Sequence, residues 1–227
     1  MRIPSFTVVN CLKKALFCTN VFILTTFFWV FIYRYVNPPM PHSRVAAENV
    51  QSKFRWVDYN DISINLKRAV VVAEDKSFLY HHGFDFNAIK LAYKINLSDS
   101  KTQIGASTIT QQTAKNVFLW NGRTWIRKVF EAYFTFLIEL CWDKKRILEV
   151  YLNVVEYGDH IYGIDAASKL FFNINPIQLN ENQAALIAVI LPNPKEWSPI
   201  HPNEYVTRKS KNIQGRTHRF SALLEGL

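Results

Sequence analysis

Two stretches of the sequence carry residue types that could perform acid–base chemistry beside a bound anion. The first reads E-D-K-S-F-L-Y-H-H-G-F-D and runs from Glu74 to Asp85. Glu74 follows the apolar run Val70–Ala73, so its carboxylate is expected to leave an apolar helix where the chain turns. Partial desolvation there raises the pKa of a carboxyl group and suits it to general acid–base chemistry. The alternative is a helix-end glutamate that pairs with His81 or with a lysine.

The second stretch, residues 105–131, has a composition suited to binding a multiply negative group. It contains no acidic residue before Glu131, whereas a surface meant only to be solvated usually mixes its signs. We therefore expect this stretch to hold an anion with one carboxylate beside it. The basic and amide side chains that could contact the anion are Gln111, Gln112, Lys115, Arg123, Arg127 and Lys128.

The polar start of that stretch allows two interpretations. Gly105 supplies backbone freedom, while Ser107, Thr108 and Thr110 offer hydroxyls and exposed amides. Taken alone, such a stretch is typical of an ordinary loop. Its continuation into basic residues favours binding, because glutamine amides hydrogen-bond to sugar hydroxyls or to phosphate oxygens.

The basic end of the stretch is also ambiguous. On a helix that begins near Thr124, Arg127 and Glu131 are four residues apart and share one face. On an open surface they would form an ion pair that contributes little. If that face lines a cleft, the same cations could stabilise a departing pyrophosphate.

The elements that must position these residues are mainly helices. No convincing alternating strand longer than four residues is found, and Gly and Pro are sparse at seven and nine residues. Three helices are predicted with a capping residue: one that Ser63 starts and that ends at Asp75, one that Asn121 or Thr124 starts and that ends at Trp142, and one over 144–155 that Asp143 caps. Three more are predicted over 86–97, 163–172 and 176–191.

Length and charge limit the classes of protein that fit. The 227 residues support one full-sized domain plus an appendage. Net charge is +9 in total and +5 beyond residue 36, an excess that suits nucleic acid, anionic lipid or a phosphorylated substrate alike. The cysteines Cys11, Cys18 and Cys141 form no disulfide framework, and no metal-ligand spacing is present.

The N-terminal region predicts a membrane anchor. Residues 15–33 carry no charge and would span roughly 28 Å as a helix, which is close to the hydrocarbon thickness of a bilayer. Lys13 and Lys14 precede this run, which favours a cytoplasmic N-terminus. A cleaved signal peptide is disfavoured, because the nearest small-residue cleavage site lies behind a proline cluster. The predicted divisions are a cytoplasmic N-terminus 1–14, an anchor 15–35, a spacer 36–49 and a catalytic domain 50–227.

Four motifs in order resemble the family 51 peptidoglycan glycosyltransferases, and the length and layout resemble the monofunctional members. The resemblance covers roughly residues 50–200. The motifs are E-D-x-x-F-x-x-H-x-G-x-D at 74–85, G-A-S-T-I-T-Q-Q-T-A-K-N at 105–116, R-T-x-x-R-K-x-x-E at 123–131 and K-R-I-L-E-x-Y-L-N at 145–153.

The resemblance implies a lysozyme-like helical domain with a small membrane-proximal lobe. It also implies that lipid II is polymerised into glycan strands, with undecaprenyl pyrophosphate as leaving group. Glu74 would be the general base, and Glu131 the second essential carboxylate beside the donor pyrophosphate. Glu149, Tyr151 and Asn153 would be structural.

The implied substrate-binding set extends over the first three motifs. It comprises Asp75, Phe78, His81, Gly83, Ser107, Thr108, Gln111, Gln112, Lys115, Asn116, Arg123, Arg127 and Lys128. No cofactor is required, although a divalent cation, magnesium or manganese, could bind near Glu131. The expected partners are lipid II, the growing glycan, the bacterial inner membrane and other cell-wall or division proteins, with no nucleic acid. The catalytic domain would then be extracytoplasmic.

One departure from the family pattern and two rival functions are left open. Gln183 stands where an acidic residue is usual before Ala184-Ala185-Leu186, which puts the polar contact of that side chain in question. A basic C-terminal segment containing Lys209 and Arg216 predicts a solvated helix face. The rivals are a lysozyme-like enzyme that cleaves glycan and a membrane-anchored scaffold without activity. The presence of both Glu74 and Glu131 disfavours the scaffold.

Overall fold

The computed structural model describes residues 5–39, 54–98, 104–122 and 124–217, and it is predominantly helical as predicted. The helices of the described residues are α1 (Ser5–Ile32), α2 (Ile64–Glu74), α3 (Phe86–Ser98), α4 (Ile109–Phe118), α5 (Trp125–Cys141), α6 (Lys144–Val154), α7 (Ile164–Phe172), α8 (Glu181–Ile190) and α9 (Glu204–Thr217). Short 3-10 turns lie at Tyr59–Asp61 and Pro176–Gln178.

Three of the predicted helix starts are confirmed by their capping side chains. The Ser63 hydroxyl accepts a hydrogen bond from the backbone N–H of Asn65 at the start of α2. Thr124 caps α5 and Asp143 caps α6 in the same way, each accepting from a backbone N–H three residues on. Caps of this kind satisfy N–H groups that have no partner within their helix.

The structure differs from the prediction in three places. Residues 109–118, expected only as a polar stretch, form α4. The helix predicted over 176–191 is two elements, because Asn180 starts α8 afresh. The chain also forms a two-stranded antiparallel sheet from β1 (Glu156–Gly158) and β2 (Ile161–Tyr162), which are too short to show an alternating pattern.

The core lies between α2, α8, α6 and α4. Helix α2 packs against α8, and α9 packs across both of them. Helix α4 packs against both α5 and α6, so it joins the two halves of the domain. The apolar side of α9 is carried by Val206 and Ile213, while its basic residues Lys209 and Arg216 are exposed, as predicted for a solvated helix face.

Helix α1 is apolar enough to cross a membrane from Val9 to Ile32, a length of 24 residues. Its C-terminal half packs against α5. The indole Nε1–H of Trp142 donates to the carbonyl of Val30 at 2.8 Å, and the hydroxyls of Thr26 and Tyr133 lie 2.6 Å apart. Helix α1 also begins before the predicted anchor, so residues 5–14 belong to it. Residues 40–49 of the predicted spacer lie outside the described ranges.

Candidate active site

Glu74 is the last residue of α2 and is half-buried as a residue, and its carboxylate is held by a side chain of α4. The Nε2–H of Gln112 donates to Glu74 Oε2 at 2.7 Å. The Oε1 of the same carboxamide accepts a hydrogen bond from the Tyr151 hydroxyl on α6 at 3.2 Å. Three helices therefore meet at the predicted general base.

Burial is the main cause of the raised pKa of Glu74, as expected from its position. The Asp75 charge raises this pKa further, whereas the Gln112 hydrogen bond and the charges of Lys115 and Lys209 lower it. A carboxylate so placed is a suitable base, since its proton affinity is increased while a hydrogen-bond donor still stabilises its charged form.

Asp75 connects α2 to the start of α4. Its side chain is buried and accepts hydrogen bonds from His81 Nε2 at 2.9 Å and from the backbone N–H of Ile109 at 3.0 Å. His81 Nδ1 accepts from the backbone N–H of Gly83, so in the neutral ring Nε2 carries the proton. Asp75 and His81, predicted to bind substrate, therefore position the N-terminus of α4.

Gly83 and Phe78 have comparable structural roles. Gly83 has φ +87°, and a Cβ there would lie 2.7 Å from Thr135 Cγ2. Its carbonyl accepts a hydrogen bond from the Thr108 hydroxyl. Phe78 has no exposed surface and lies in the core, not on the cleft as the substrate-binding prediction implied.

The start of α4 is a capping box, which accounts for two more of the predicted residues. The hydroxyl of Thr108 accepts from the backbone N–H of Gln111, and the Gln111 Oε1 accepts from the backbone N–H of Thr108. Both side chains are buried, and the hydroxyl of Thr110 donates to Glu139. Of the amides expected to be exposed, that of Thr108 is not, because its N–H donates to Gln111 Oε1.

Glu131 lies on α5 between two cations. Its Oε2 accepts a hydrogen bond from Arg127 Nη1 at 3.0 Å, and its Oε1 is bonded by Lys128. The carboxylate is almost fully buried, while the Lys128 side chain is half exposed and its Nζ also lies 3.4 Å from the Ser107 hydroxyl. The buried Nε–H of Arg127 has no acceptor among the described residues. This cluster therefore keeps unused donor capacity for an anion.

A cavity of about 440 Å³ lies beside this cluster. Its wall combines residues of α4, the following turn, α5 and the β hairpin, namely Lys115, Asn116, Trp120, Asn121, Gly122, Arg127, Glu156 and Tyr162. The sequence predicted Lys115, Asn116 and Arg127 here. It missed Trp120, Asn121 and Gly122 of the turn, and it missed the residues from the hairpin, for which the Gly-Asp pair at 158–159 was the available turn signal. Arg123 lies outside the described residues.

Lys115 connects Glu74 to the cavity. It lines the cavity wall, and its charge also lowers the pKa of Glu74. A negative group bound in the cavity would thus be close to Glu74, the predicted general base. The donor set around Glu131 does not fit a divalent cation, because Arg127 and Lys128 already bond both carboxylate oxygens. No cluster of three acidic, His or Cys ligands occurs within the described part of the chain.

A helical fold that places a desolvated carboxylate near a cavity lined by Lys115 and Arg127 fits the class of enzymes that transfer a group away from an anionic leaving group. More particularly, the chain belongs to the transglycosylase family, whose model matches residues 42–218. The family carries the lysozyme-like helical fold, so the predicted fold class and family are both confirmed.

The chain is also similar to curated proteins over most of its length. It is 47% identical over 186 residues to a biosynthetic peptidoglycan transglycosylase of Caulobacter vibrioides, covering 81% of each chain. It is 46% identical over 187 residues to the protein of that name from Chromohalobacter salexigens, covering 82% of this chain and 80% of the relative. It is 50% identical over 169 residues to the protein of the same name from Ectopseudomonas mendocina, covering 74% of this chain and 69% of the relative.

Proposed function

We propose that the protein is a membrane-anchored peptidoglycan glycosyltransferase that polymerises lipid II into glycan strands and releases undecaprenyl pyrophosphate. The observation that carries this proposal is the pairing of Glu74 with the cavity lined by Lys115 and Arg127. The names of the relatives support the same activity.

The reaction is one displacement at the anomeric carbon of the donor MurNAc. The 4-hydroxyl oxygen of the acceptor GlcNAc attacks that carbon, and Glu74 takes the hydroxyl proton. The bond from the anomeric carbon to the pyrophosphate oxygen breaks, and its electron pair leaves with the pyrophosphate. Arg127, Lys128 and Lys115 stabilise this charge, so no general acid is needed to protonate the leaving group.

Glu131 orients the cations of the leaving-group site. A guanidinium and an ammonium that share one buried carboxylate are fixed in place before the substrate binds. Because the cluster keeps a net positive charge, it still attracts a pyrophosphate. Preorganised charges of this kind stabilise a transition state without the cost of reorienting when charge develops.

The membrane arrangement follows from α1. Its contacts with Trp142 and Tyr133 support an uncleaved anchor, because removal of the helix would leave the buried Trp142 Nε1–H without its acceptor. Helix α5, on which α1 packs, also carries exposed apolar residues such as Trp125 and Phe136. The cleft would therefore open near the lipid that carries the substrate.

The orientation of the protein in the membrane is proposed from the charged residues in the N-terminal part of α1. Lys13 and Lys14 precede the apolar part of α1, which favours a cytoplasmic N-terminus, a bacterial inner-membrane location and an extracytoplasmic catalytic domain. Single-cysteine labelling from outside intact cells tests this topology. A probe on α9 should react from outside, and a probe before Lys13 should not.

The experiment that tests the activity compares synthesis with cleavage. The full-length protein in detergent is incubated separately with lipid II and with preformed uncrosslinked glycan. Formation of glycan polymer together with undecaprenyl pyrophosphate supports the proposal. Shortening of preformed glycan without polymerisation would instead identify a lysozyme-like enzyme.

A further inference from the structure

A chain of two hydrogen bonds connects a fully buried tyrosine to the proposed base. The Tyr151 hydroxyl donates to Gln112 Oε1 at 3.2 Å, and Gln112 Nε2 donates to Glu74 Oε2 at 2.7 Å. The three residues lie on α6, α4 and α2, and Tyr151 has no exposed surface. We propose that Tyr151 is a positioning residue for the glycosyl transfer, since it fixes the carboxamide of Gln112 with its N–H toward Glu74. This inference rests on the proposed function.

The carboxamide needs such a constraint because its two ends are similar in shape but opposite in polarity. If the amide were reversed, its oxygen would face the Glu74 carboxylate and repel it. Its nitrogen would then face the Tyr151 oxygen, and the buried hydroxyl would lose its acceptor. Among the described residues, Gln112 is the hydrogen-bond partner of that hydroxyl. An unsatisfied buried O–H is costly, so Tyr151 selects one orientation of the amide.

The selected orientation has two consequences for the base. A donor directed at the carboxylate favours its charged form, which keeps Glu74 able to accept a proton despite its burial. Within the described residues, Oε2 is the oxygen that accepts this bond, which leaves Oε1 for the attacking hydroxyl. Through Gln112, Tyr151 therefore influences both the charge state of Glu74 and the choice of carboxylate oxygen that faces the attacking hydroxyl.

Charged groups from three helices also influence the proposed base. Glu74 is faced by Asp75 at the end of α2, Lys115 on α4 and Lys209 on α9, and their charges influence its pKa. Burial also holds the pKa of Tyr151 well above its ordinary value, so its hydroxyl keeps its proton throughout the working range of pH. The tyrosine is consequently a permanent hydrogen-bond donor here.

The test is the pH dependence of lipid II polymerisation by full-length Tyr151→Phe. Without the hydroxyl the amide can reverse, and a protonated Glu74 can donate to the amide oxygen. The acidic limb of kcat/KM should therefore move to higher pH by about 0.5–1 unit, because a net hydrogen bond is worth a fraction of one pKa unit or slightly more.

Tyr157→Phe is the matched control. Tyr157 is also fully buried and donates its hydroxyl to a backbone carbonyl, that of Leu152, at 3.1 Å. This variant loses the same atoms and a comparable hydrogen bond, but it does not touch Gln112. Its acidic limb should coincide with that of the wild type. An unmoved limb in Tyr151→Phe, or an equal shift in Tyr157→Phe, would overturn the inference.

A double-mutant cycle with a direct readout separates this inference from the proposed function. The Glu74 carboxyl is titrated by carbon-13 NMR in full-length Gln112→Met, Tyr151→Phe and the double variant. The Tyr151 change should raise the Glu74 pKa in the wild-type background and have no further effect once Gln112 is replaced. Additive shifts would refute the connection through Gln112. Because the titration requires no turnover, it decides the inference even if lipid II is not polymerised.

Discussion

Glu131→Gln is expected to abolish most turnover in a chain that still folds. The substitution keeps the shape of the side chain but removes the charge shared by Arg127 and Lys128. The Arg127 side chain is only 12% exposed, so its guanidinium loses a buried counter-ion, whereas the Lys128 side chain is 51% exposed and can be solvated. Breaking a fully buried pair costs about 3–5 kcal/mol. Because glutamine keeps an acceptor oxygen, we expect about 2–3 kcal/mol here, or a melting temperature lower by roughly 4–12 °C.

The kinetic effect should exceed the effect on stability. A neutral amide holds Arg127 weakly, so the guanidinium is no longer fixed at the cavity before the pyrophosphate develops its charge. Removing one preorganised donor from such a site lowers kcat by about 100–1000-fold. Polymerisation of fluorescent lipid II at saturating substrate, below the melting temperature of the variant, measures this loss directly.

Glu139→Gln provides the control on the same helix. Glu139 is also buried and pairs with Lys144 at 2.8 Å, so its replacement removes a comparable ion pair. Its melting temperature should fall by a similar amount, while kcat stays within about threefold of the wild type, a barrier change under about 1 kcal/mol. If Glu131→Gln retained wild-type kcat, or if both variants lost kcat equally, the proposed role of Glu131 would be wrong.

Three further predictions concern Glu74, the cavity residue Lys115 and the turn at Gly83. Polymerisation should fall at low pH with a midpoint above 4.5, the ordinary value for glutamate, because a protonated Glu74 cannot accept the hydroxyl proton; a pH–rate profile of kcat/KM measures this midpoint. Lys115→Met should raise that midpoint and lower kcat together, since the lysine charge lowers the Glu74 pKa and lines the cavity; an unchanged midpoint would refute the connection. Gly83→Ala should destabilise the fold by about 1–3 kcal/mol in chemical unfolding, because its φ is +87° and the added Cβ would lie 2.7 Å from Thr135 Cγ2. Wild-type stability in that variant would show that the turn adjusts freely.

The elements with a regular apolar pattern could be predicted from the sequence. Helix α2 has such a pattern and a serine cap, so both the helix and the position of Glu74 at its end follow from local rules. Helix α4 is less apparent from the sequence, because its buried side also includes the polar residues Thr110 and Thr113. Their hydroxyls are satisfied by Glu139 and by the carbonyl of Ile109, and the first of these partners is 29 residues away in sequence.

Two local signals in the sequence coincide with helix starts that the apolar pattern does not reveal. The sequence T-I-T-Q at 108–111 and the sequence N-E-N-Q at 180–183 both form capping boxes in the structure. The capping box at 180–183 gives a structural role to Gln183, which stands where the family usually has an acidic residue. Gln183 Oε1 accepts from the backbone N–H of Asn180, a contact that glutamate or glutamine can make.

The site itself depends on contacts that a sequence pattern does not reveal. Gln112 lies 38 residues from Glu74 and 39 from Tyr151, so the hydrogen-bonded chain exists only after α2, α4 and α6 have packed. For the same reason the family resemblance implies only a structural role for Tyr151. Glu156 and Tyr162 reach the cavity through a hairpin whose strands are too short to predict.

The central claim is that Glu74 removes the proton from the acceptor hydroxyl. Its most direct test is the single-turnover rate of lipid II polymerisation by full-length Glu74→Gln, compared with the wild type at equal lipid II occupancy. We predict a near-complete loss, about 100–10,000-fold, since general-base catalysis contributes on that scale, with lipid II binding retained. A variant that bound lipid II and polymerised it at the wild-type rate would contradict the account.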